Sequence, residues 1–189
     1  MKIITISGKA GAGKDTAGLM LTDELTNEYD LNVLTTHYAD LVKYVCKAFF
    51  NWNGQKDEKG RTLLQYVGTD VVRKADSDYW VNFIIGILKM FPNSWDVVII
   101  PDLRFPNELS RLREEYPGDV THIRINSKTY SAALTPAQRE HASERAMDNF
   151  KPDLVFDNNG TPNDLRRQLD AWVKSEVIPY LNNGEASNE

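Results

Sequence analysis

The sequence predicts a three-layer α/β fold in which helices cover both faces of a parallel sheet of about five strands. Segments with strand-like apolar runs alternate along the chain with segments of helical periodicity, which is the pattern of βαβ units. The run WDVVIIP at 95–101 is nearly all apolar, as expected for a strand buried on both faces of such a sheet. A glycine-rich turn joins the first strand to the first helix. In folds of this kind, ligands gather at the carboxyl ends of the strands.

The glycine-rich turn follows the apolar run Ile3–Ile6 and fits the pattern G-x-x-x-x-G-K with Gly8, Gly13 and Lys14. This is the phosphate-binding loop (P-loop) of P-loop NTPases, in which backbone N–H groups at a helix start surround the β-phosphate and the lysine reaches the β and γ oxygens. The next position, usually a Ser or Thr that binds magnesium, is Asp15. We expect seven loop residues to bind ATP, the last two also contacting Mg²⁺ directly or through water: Ala10, Gly11, Ala12, Gly13, Lys14, Asp15 and Thr16.

Four further apolar segments are predicted as strands, over 33–38, 95–101, 120–125 and 153–156. Helical periodicity fills the intervals: one helix runs to about Glu28, and others cover 41–50, 61–74, 78–91, 107–116, 135–147 and 163–174, the last extending to Val177 at most. In the helix over 61–74, the apolar stripe consists of Leu63, Leu64, Val67 and Val71. The helix over 135–147 begins with Thr135 as N-cap, followed by a proline.

A polar stripe adjoins that apolar stripe, because Arg61, Gln65, Gly68 and Thr69 are spaced i, i+4, i+7 and i+8. Glycine inside a helix costs about 1 kcal/mol relative to alanine. The close approach of a ligand or of another backbone would explain Gly68. Arginine binds phosphate bidentately, and glutamine and threonine can contact a base edge. The alternative is a solvated helix face, which is the usual meaning of such a stripe.

Charged residues directly follow the buried run over 95–101. Asp102 has the position of a Walker B carboxylate, which contacts Mg²⁺ directly or through water. The alternative is a strand-end aspartate that caps the following turn. Arg104 is expected to face the same cleft, and Glu108 is placed to orient it. Ala39 and Lys43, close to the end of another strand, are weaker candidates for lining a pocket.

The polar helix over 135–147 lies where a lid over ATP is expected. Its polar side chains include Arg139, His141, Ser143, Glu144 and Arg145. Either Arg139 or Arg145 could bring positive charge to a transferring phosphoryl group. A charged, solvent-exposed helix is the alternative.

Composition fits one domain of 189 residues with a net charge of −5, which argues against coating of a nucleic-acid polymer. We expect this domain over 1–182, with acceptor-binding helices over 39–91, a lid over 126–147 and a disordered tail over 183–189. Whether it forms a homodimer is left open. The single cysteine, Cys46, excludes an internal disulfide and fits a reducing cytoplasm. The sequence has no apolar run of 18 residues, so no membrane span is expected.

Six blocks of sequence, in this order, together resemble the deoxynucleoside monophosphate kinases of bacteriophages. They are GKAGAGKDT at 8–16, RTLLQYVGTDVVR at 61–73, YWV at 79–81, IPDLRFPNE at 100–108, HASE at 141–144 and FDNNG at 156–160. The resemblance extends from Met1 to about Leu169, and the LLQYVGTD stretch is its most specific part. Phosphomevalonate kinases share the GKD loop more distantly.

This resemblance implies a nucleoside-monophosphate-kinase-like P-loop fold that uses Mg²⁺ and ATP. It implies that a deoxynucleotide acceptor lies near ten residues: Ala39, Lys43, Arg61, Gln65, Gly68, Thr69, Trp80, Asp102, Arg104 and Glu108. It also implies that 157–160 borders the adenine, through Asn158 and Gly160, and that 126–147 is the lid, from which Arg139 reaches ATP. The loop over 51–60 looks shorter than in some phage enzymes, so base preference does not carry over.

The expected reaction is ATP + dNMP → ADP + dNDP, in the cytoplasm, which is that of a host if the chain is phage-encoded. The acceptor phosphate has a second pKa near 6 and needs no general base. The expected catalytic residues are Lys14, Arg61, Asp102 and Arg104. Two alternatives stand beside this one. A kinase for phosphomevalonate or dephospho-coenzyme A is the first, and a hydroxyl acceptor would need Asp102 as base. A nucleotide-dependent switch is the second, although the chain lacks an N-K-x-D guanine motif.

Overall fold

A computed structural model describes residues 1–128 and 134–185. Within these residues one sheet of five parallel strands has the order β2–β3–β1–β4–β5. The strands are β1 (Lys2–Ser7), β2 (Val33–Thr35), β3 (Val97–Ile100), β4 (Val120–Asn126) and β5 (Leu154–Asp157). The predicted α/β fold with a parallel sheet of about five strands is thereby confirmed.

The helices lie between and after the strands. They are α1 (Lys14–Asn27), α2 (Tyr38–Phe50), α3 (Glu58–Gln65), α4 (Tyr79–Met90), α5 (Pro106–Glu115), α6 (Pro136–Glu140), α7 (Ala142–Arg145), α8 (Pro162–Trp172) and α9 (Ile178–Glu185). A π-helical stretch over Tyr66–Arg73 continues α3, and a second over Val173–Val177 joins α8 to α9. None of the helices in the described ranges is long and apolar enough to cross a membrane.

Two apolar cores lie on opposite faces of the sheet, which makes the fold three-layered. Because side chains alternate along a strand, Ile3 packs in one core and Ile4 in the other. The first core takes side chains from α2, α4 and α5, and the second from α1 and α8. Both β1 and β3 are buried along their whole length, which explains the uninterrupted apolar sequence of β3 and the three isoleucines of β1.

The helix predicted over 61–74 differs from the expectation in its second half. Val71 is exposed, and Val72 packs against the core in its place. The physical reason is the π-helical stretch, in which each turn contains more residues than an α-turn, so the inward face falls one residue later. The carbonyl oxygen of Gly68 accepts a hydrogen bond of 2.8 Å from Trp80 Nε1. The stretch is therefore stabilised by a residue of α4.

The strand predicted over 33–38 is also shorter than expected, and the following helix begins earlier. Strand β2 ends at Thr35, and α2 begins at Tyr38 rather than at Leu41. The cause is long-range: the buried Asp102 carboxylate accepts hydrogen bonds from the backbone N–H groups of Tyr38, at 3.0 Å, and Ala39, at 2.9 Å. An acceptor for these N–H groups stabilises a helix start.

The helix predicted over 135–147 is two short helices. The Thr135 N-cap is confirmed, since its hydroxyl accepts from the N–H of Gln138. His141 then interrupts the helix in an extended conformation, with φ −62° and ψ 144°. At the C-terminus, helical structure continues past Val177 to Glu185, three residues into the tail expected to be disordered. The rest of that tail and part of the expected lid, 129–133, lie outside the described residues.

Candidate active site

The P-loop is packed against the carboxyl ends of β4 and β5. Gly8 has φ 147°, and a Cβ there would lie 2.5 Å from the carbonyl oxygen of Ile125. Gly13 has φ 98°, and its Cβ would lie 2.4 Å from Asn158 Nδ2. That same Asn158 amide donates to the Ala12 carbonyl at 2.9 Å. Glycine is required at both positions by conformation and by space.

Lys14 is the first residue of α1, and its side chain points back along the loop. Its ammonium group donates to the Lys9 carbonyl at 3.0 Å. Burial, and then the nearby Arg104 guanidinium, lower the pKa of Lys14 to about 8. At neutral pH the lysine is therefore still mostly charged and lies beside the loop amides that would surround a phosphate.

Asp15 and Thr16 follow Lys14 on the first turn of α1, and both are exposed. Asp15 Oδ1 lies 3.9 Å from His37 Nε2, whose other ring nitrogen lies 3.2 Å from Asp40 Oδ2. The two P-loop residues thus offer accessible oxygen atoms at a helix N-terminus.

A first cavity, of about 480 Å³, opens at the carboxyl ends of β1, β4 and β5, and we call it the P-loop cavity. Of the residues expected to bind ATP, Ala12 lines it, while Ala10 and Arg139 line an adjacent cavity of about 340 Å³. Asn158 contacts the P-loop, and the exposed Gly160 lies against the Asp164 carboxylate instead.

A second cavity, of about 150 Å³, lies among α2, α3, α4 and the loop after β3, and we call it the helical cavity. All ten residues expected near an acceptor line it: Ala39, Lys43, Arg61, Gln65, Gly68, Thr69, Trp80, Asp102, Arg104 and Glu108. The cavity wall also includes Tyr38, Lys56, Arg73 and Phe105, which sequence reasoning missed. A buried Nε of Arg61 has no hydrogen-bond partner among the residues that the structure describes, so an anion in this cavity would satisfy it.

Asp102 is 6% exposed, and both carboxylate oxygens accept the hydrogen bonds that begin α2. Burial raises the pKa of this carboxyl, while the Ala39 N–H, and then the His37 ring, lower it. The capping role considered for Asp102 is therefore present, but it serves α2 rather than the following turn. Its contact with magnesium stays a prediction.

Three residues, Arg104, Ser143 and Glu144, line both cavities. Arg104 Nη1 donates to the Glu144 carboxylate and, at 3.1 Å, to the Ser143 carbonyl. On the other side, the Lys9 ammonium group donates to the Glu144 carbonyl at 2.8 Å. Helix α7 is thus held between the P-loop and the end of β3.

The segment that contains α6 and α7 also forms hydrogen bonds with the helices that line the helical cavity. The buried Gln138 donates to the Glu58 carbonyl at 3.0 Å, and Gln65 donates to the Gln138 carbonyl at 3.3 Å. His141 Nε2 lies 3.2 Å from an oxygen of Asp70. The two arginines expected to belong to the lid make local contacts. Arg139 Nε donates to the backbone carbonyl of Leu134, and the Arg145 guanidinium forms an ion pair with Glu140.

Fold and loop together define a P-loop kinase. A family model described as deoxynucleotide monophosphate kinase matches residues 34–169. This span is more than half of the chain and lies entirely after the P-loop, so it is evidence independent of that motif. The chain belongs to the deoxynucleotide monophosphate kinase family, and the expected membership of the deoxynucleoside monophosphate kinases is confirmed. The protein is an ATP-dependent kinase of deoxynucleoside monophosphates.

Solved structures show the same fold at low sequence identity. One is the APS kinase CysC of Mycobacterium tuberculosis in complex with AMPPNP and APS, with 11% identity, coverage of 92% of this chain and 98% of that one, and a TM-score of 0.55. A gluconokinase from Sinorhizobium meliloti 1021 has 11% identity, coverage of 100% and 98%, and a TM-score of 0.53. Kti12 of Chaetomium thermophilum in complex with ADP-AlF3 has 12% identity, coverage of 92% and 98%, and a TM-score of 0.56. No curated protein matches the sequence.

Proposed function

We propose that the P-loop cavity receives the phosphates of ATP, that the helical cavity receives a deoxynucleoside monophosphate, and that the phosphoryl group passes between them beside Arg104. The observation that carries this proposal is the shared wall, because Arg104 borders both cavities. A cation at that position contacts both reacting phosphates and reduces their mutual repulsion.

On the donor side, Lys14 and the loop amides hold the β- and γ-phosphates. The bond from Lys14 to the Lys9 carbonyl is then exchanged for bonds to phosphate oxygens. Arg139 and Ala10 line the space beside the P-loop, where Arg139 is placed to close over the nucleotide. The complex of the neighbouring APS kinase with AMPPNP supports an ATP-type donor for this fold.

On the acceptor side, Arg61 and Arg104 bind the phosphate, and Lys43 adds a third cation at the rim. Trp80 and Phe105 provide apolar wall for the nucleoside, with Gln65 and Thr69 as polar contacts. The acceptor phosphate is mostly dianionic at neutral pH, so transfer needs positioning and charge neutralisation rather than a general base. Asp102, with both oxygens engaged, is consistent with a reaction that needs no base.

Magnesium fits the donor chemistry of the residues present. Asp15 and Thr16 would hold the ion through exposed oxygens, and Asp102 would reach it through water because its own oxygens already accept N–H groups. When bound, Mg²⁺ neutralises phosphate charge. Within residues 1–128 and 134–185 no group of three or more His, Cys, Asp or Glu side chains could hold a metal. Mg²⁺ commonly binds through one or two carboxylates plus substrate phosphates.

The biological origin of the enzyme and its location in the cell are also part of the proposal. The order and the amino-acid sequences of the six blocks favour an enzyme of the bacteriophage type. The unpaired thiol of the buried Cys46 fits the reducing cytoplasm of a host cell.

The test is ADP formation from Mg·ATP with dTMP, dGMP, dCMP, dAMP and the matching ribonucleotides. We expect ADP release that depends on one or more deoxynucleotides and is almost absent in Lys14→Ala. A matched pair of arginine variants then locates the acceptor site: Arg61→Ala should raise the KM for the deoxynucleotide, and Arg111→Ala, on the outer side of α5, should not. If no nucleotide stimulates ADP formation while ATP still binds, the proposal is contradicted and a phosphomevalonate-type acceptor is favoured.

A further inference from the structure

Arg73 is a charged residue that sequence reasoning left out of the site. It is the last residue of the π-helical stretch and lines the helical cavity. Its Nη1 donates to Glu108 Oε1 at 3.0 Å, and the two side chains are only 8% and 3% exposed. A buried ion pair in the wall of a substrate cavity is costly to form and calls for a role.

Glu108 uses its two oxygens for different tasks. While Oε1 accepts from Arg73, Oε2 accepts from the backbone N–H groups of Arg104, at 2.9 Å, and Phe105, at 3.0 Å. These bonds fix the turn from which the Arg104 side chain extends between the two cavities. The position of Arg104 therefore depends on Glu108 remaining a strong acceptor, because a carboxylate accepts N–H hydrogen bonds more strongly than the carbonyl oxygen of a protonated carboxyl group does.

Arg73 is itself held rigidly. Its Nη2 donates to Asn107 Oδ1, and its guanidinium carbon lies 3.7 Å from the centroid of the Phe105 ring. Asn107 in turn donates to the Ser77 carbonyl at 2.9 Å. With stacking on one face and hydrogen bonds at its edge, the guanidinium has one orientation, which is directed at Glu108.

The charged and titratable groups around Glu108 come from three directions. Arg73 faces it from the π-helical stretch, Asp102 and Arg104 from the loop after β3, and Tyr38 from α2. Burial raises the pKa of Glu108 to about 7, while the Arg104 N–H, then Arg73 and the Phe105 N–H, lower it. Without Arg73, Glu108 would keep its proton through the neutral range.

We propose that Arg73 is a positioning residue for phosphoryl transfer: its ion pair favours the carboxylate form of Glu108, which holds the Arg104 backbone in place. This inference rests on the proposed role of Arg104 between the two cavities. Arg73 acts through Glu108 and Arg104 and need not touch either substrate.

The test is the dependence of kcat on pH, from 6 to 9, in Arg73→Gln, Glu108→Gln and the double variant. In Arg73→Gln we expect kcat at pH 7 to fall about fivefold or more and to recover partly toward pH 9, with the midpoint of the acid limb about 1 pH unit or more above that of the wild type. Glu108→Gln and the double variant should lack this limb and show only the ionisation of the acceptor phosphate near pH 6. Arg111→Gln, whose partner Glu114 lies on the exposed side of α5, is the matched control and should follow the wild type.

Two outcomes would overturn the proposal. One is a pH profile of kcat in Arg73→Gln that has the same midpoint as the wild type and differs only in height. The other is an acid limb whose shifted midpoint is still present in the double variant. Should Arg73→Gln fail to fold, Arg73→Lys keeps the charge and should retain the wild-type midpoint with a lower kcat; a shifted midpoint there would also contradict the proposal. The ¹³C NMR titration of the Glu108 carboxyl, with and without Arg73, gives the same answer without turnover. It therefore separates failure of this inference from failure of the proposed reaction.

Discussion

Arg104 is bonded to Glu144 at the boundary between the P-loop cavity and the helical cavity. An anionic side chain is thus bonded to the cation that we propose contacts the acceptor phosphate. Glu144 belongs to α7, which the Lys9 ammonium group holds against the P-loop. In the proposed arrangement, the acceptor phosphate competes with the Glu144 carboxylate for Arg104, so acceptor binding and the Arg104–Glu144 bond oppose each other.

This competition predicts tighter acceptor binding when Glu144 loses its charge. Glu144→Gln should lower the KM for the deoxynucleotide about two- to fivefold, which corresponds to a partly exposed ion pair of roughly 0.5–1 kcal/mol. Glu140→Gln is the control, because Glu140 pairs with Arg145 away from Arg104. A raised KM in Glu144→Gln, with Glu140→Gln unchanged, would mean instead that Glu144 holds Arg104 in its productive position.

The environment of Lys14 predicts how ATP binding depends on pH. Its pKa is lowered to about 8, first by burial and then by Arg104. As pH rises through 8 the free enzyme loses this charge, so the KM for ATP should rise about tenfold per pH unit above that value. The kcat should change less, because bound phosphates favour the charged lysine. Lys14→Arg, which stays charged, should show a flat KM; a wild-type KM that is flat up to pH 9.5 would refute the prediction.

A pH effect on stability is expected far from the active site. Glu24 on α1 is 6% exposed, and burial, then its hydrogen bond with Asp170, raise its pKa to about 7. The folded state therefore binds this proton more tightly than the unfolded state, and the stability it contributes is complete below pH 4.5 and lost as pH rises through 7. Glu24→Gln should raise Tm by about 2–4 °C at pH 8 and little at pH 5. An equal change at both pH values would exclude titration of Glu24 as the cause.

Gly68 marks a close contact between the π-helical stretch and α2. A Cβ at this position would lie 3.3 Å from Val42 Cγ1, so the close approach is to a side chain, not to a backbone. Gly68→Ala should raise the KM for the deoxynucleotide and lower Tm by about 2–4 °C, because the helices that line the cavity must separate. Val42→Ala combined with Gly68→Ala should restore the KM. If the double variant is no better than Gly68→Ala alone, steric pressure from Val42 is not the reason for the glycine.

Local sequence signals predicted the fold and, together with the family resemblance, ten of the residues that line the helical cavity. The P-loop depends on glycines and a lysine within seven residues, and β3 on one uninterrupted apolar run, so both are visible in the sequence itself. Asp102 reaches the cavity because it directly follows β3, and Arg61 and Gln65 reach it because they are one turn apart on the same face of α3.

What the sequence did not predict depends on irregular backbone or distant contacts. Arg73 is an exception, because it continues the four-residue spacing of Arg61, Gln65 and Thr69, although the predicted stripe ended at Thr69. The bond between Arg104 and Glu144 requires the interruption of the helix at His141. The sequence of this mostly polar segment contains no signal for that interruption. The early start of α2 depends on an aspartate more than 60 residues away in the sequence.

The central claim, that two cavities joined at Arg104 are the donor and acceptor sites, is tested most directly by a bisubstrate analogue in which five phosphates join adenosine to a deoxynucleoside. The account predicts that this analogue competes with both ATP and the deoxynucleotide, binds more tightly than either, and loses this advantage in Arg104→Met. Competition with ATP alone, with deoxynucleotide binding undisturbed, would contradict it.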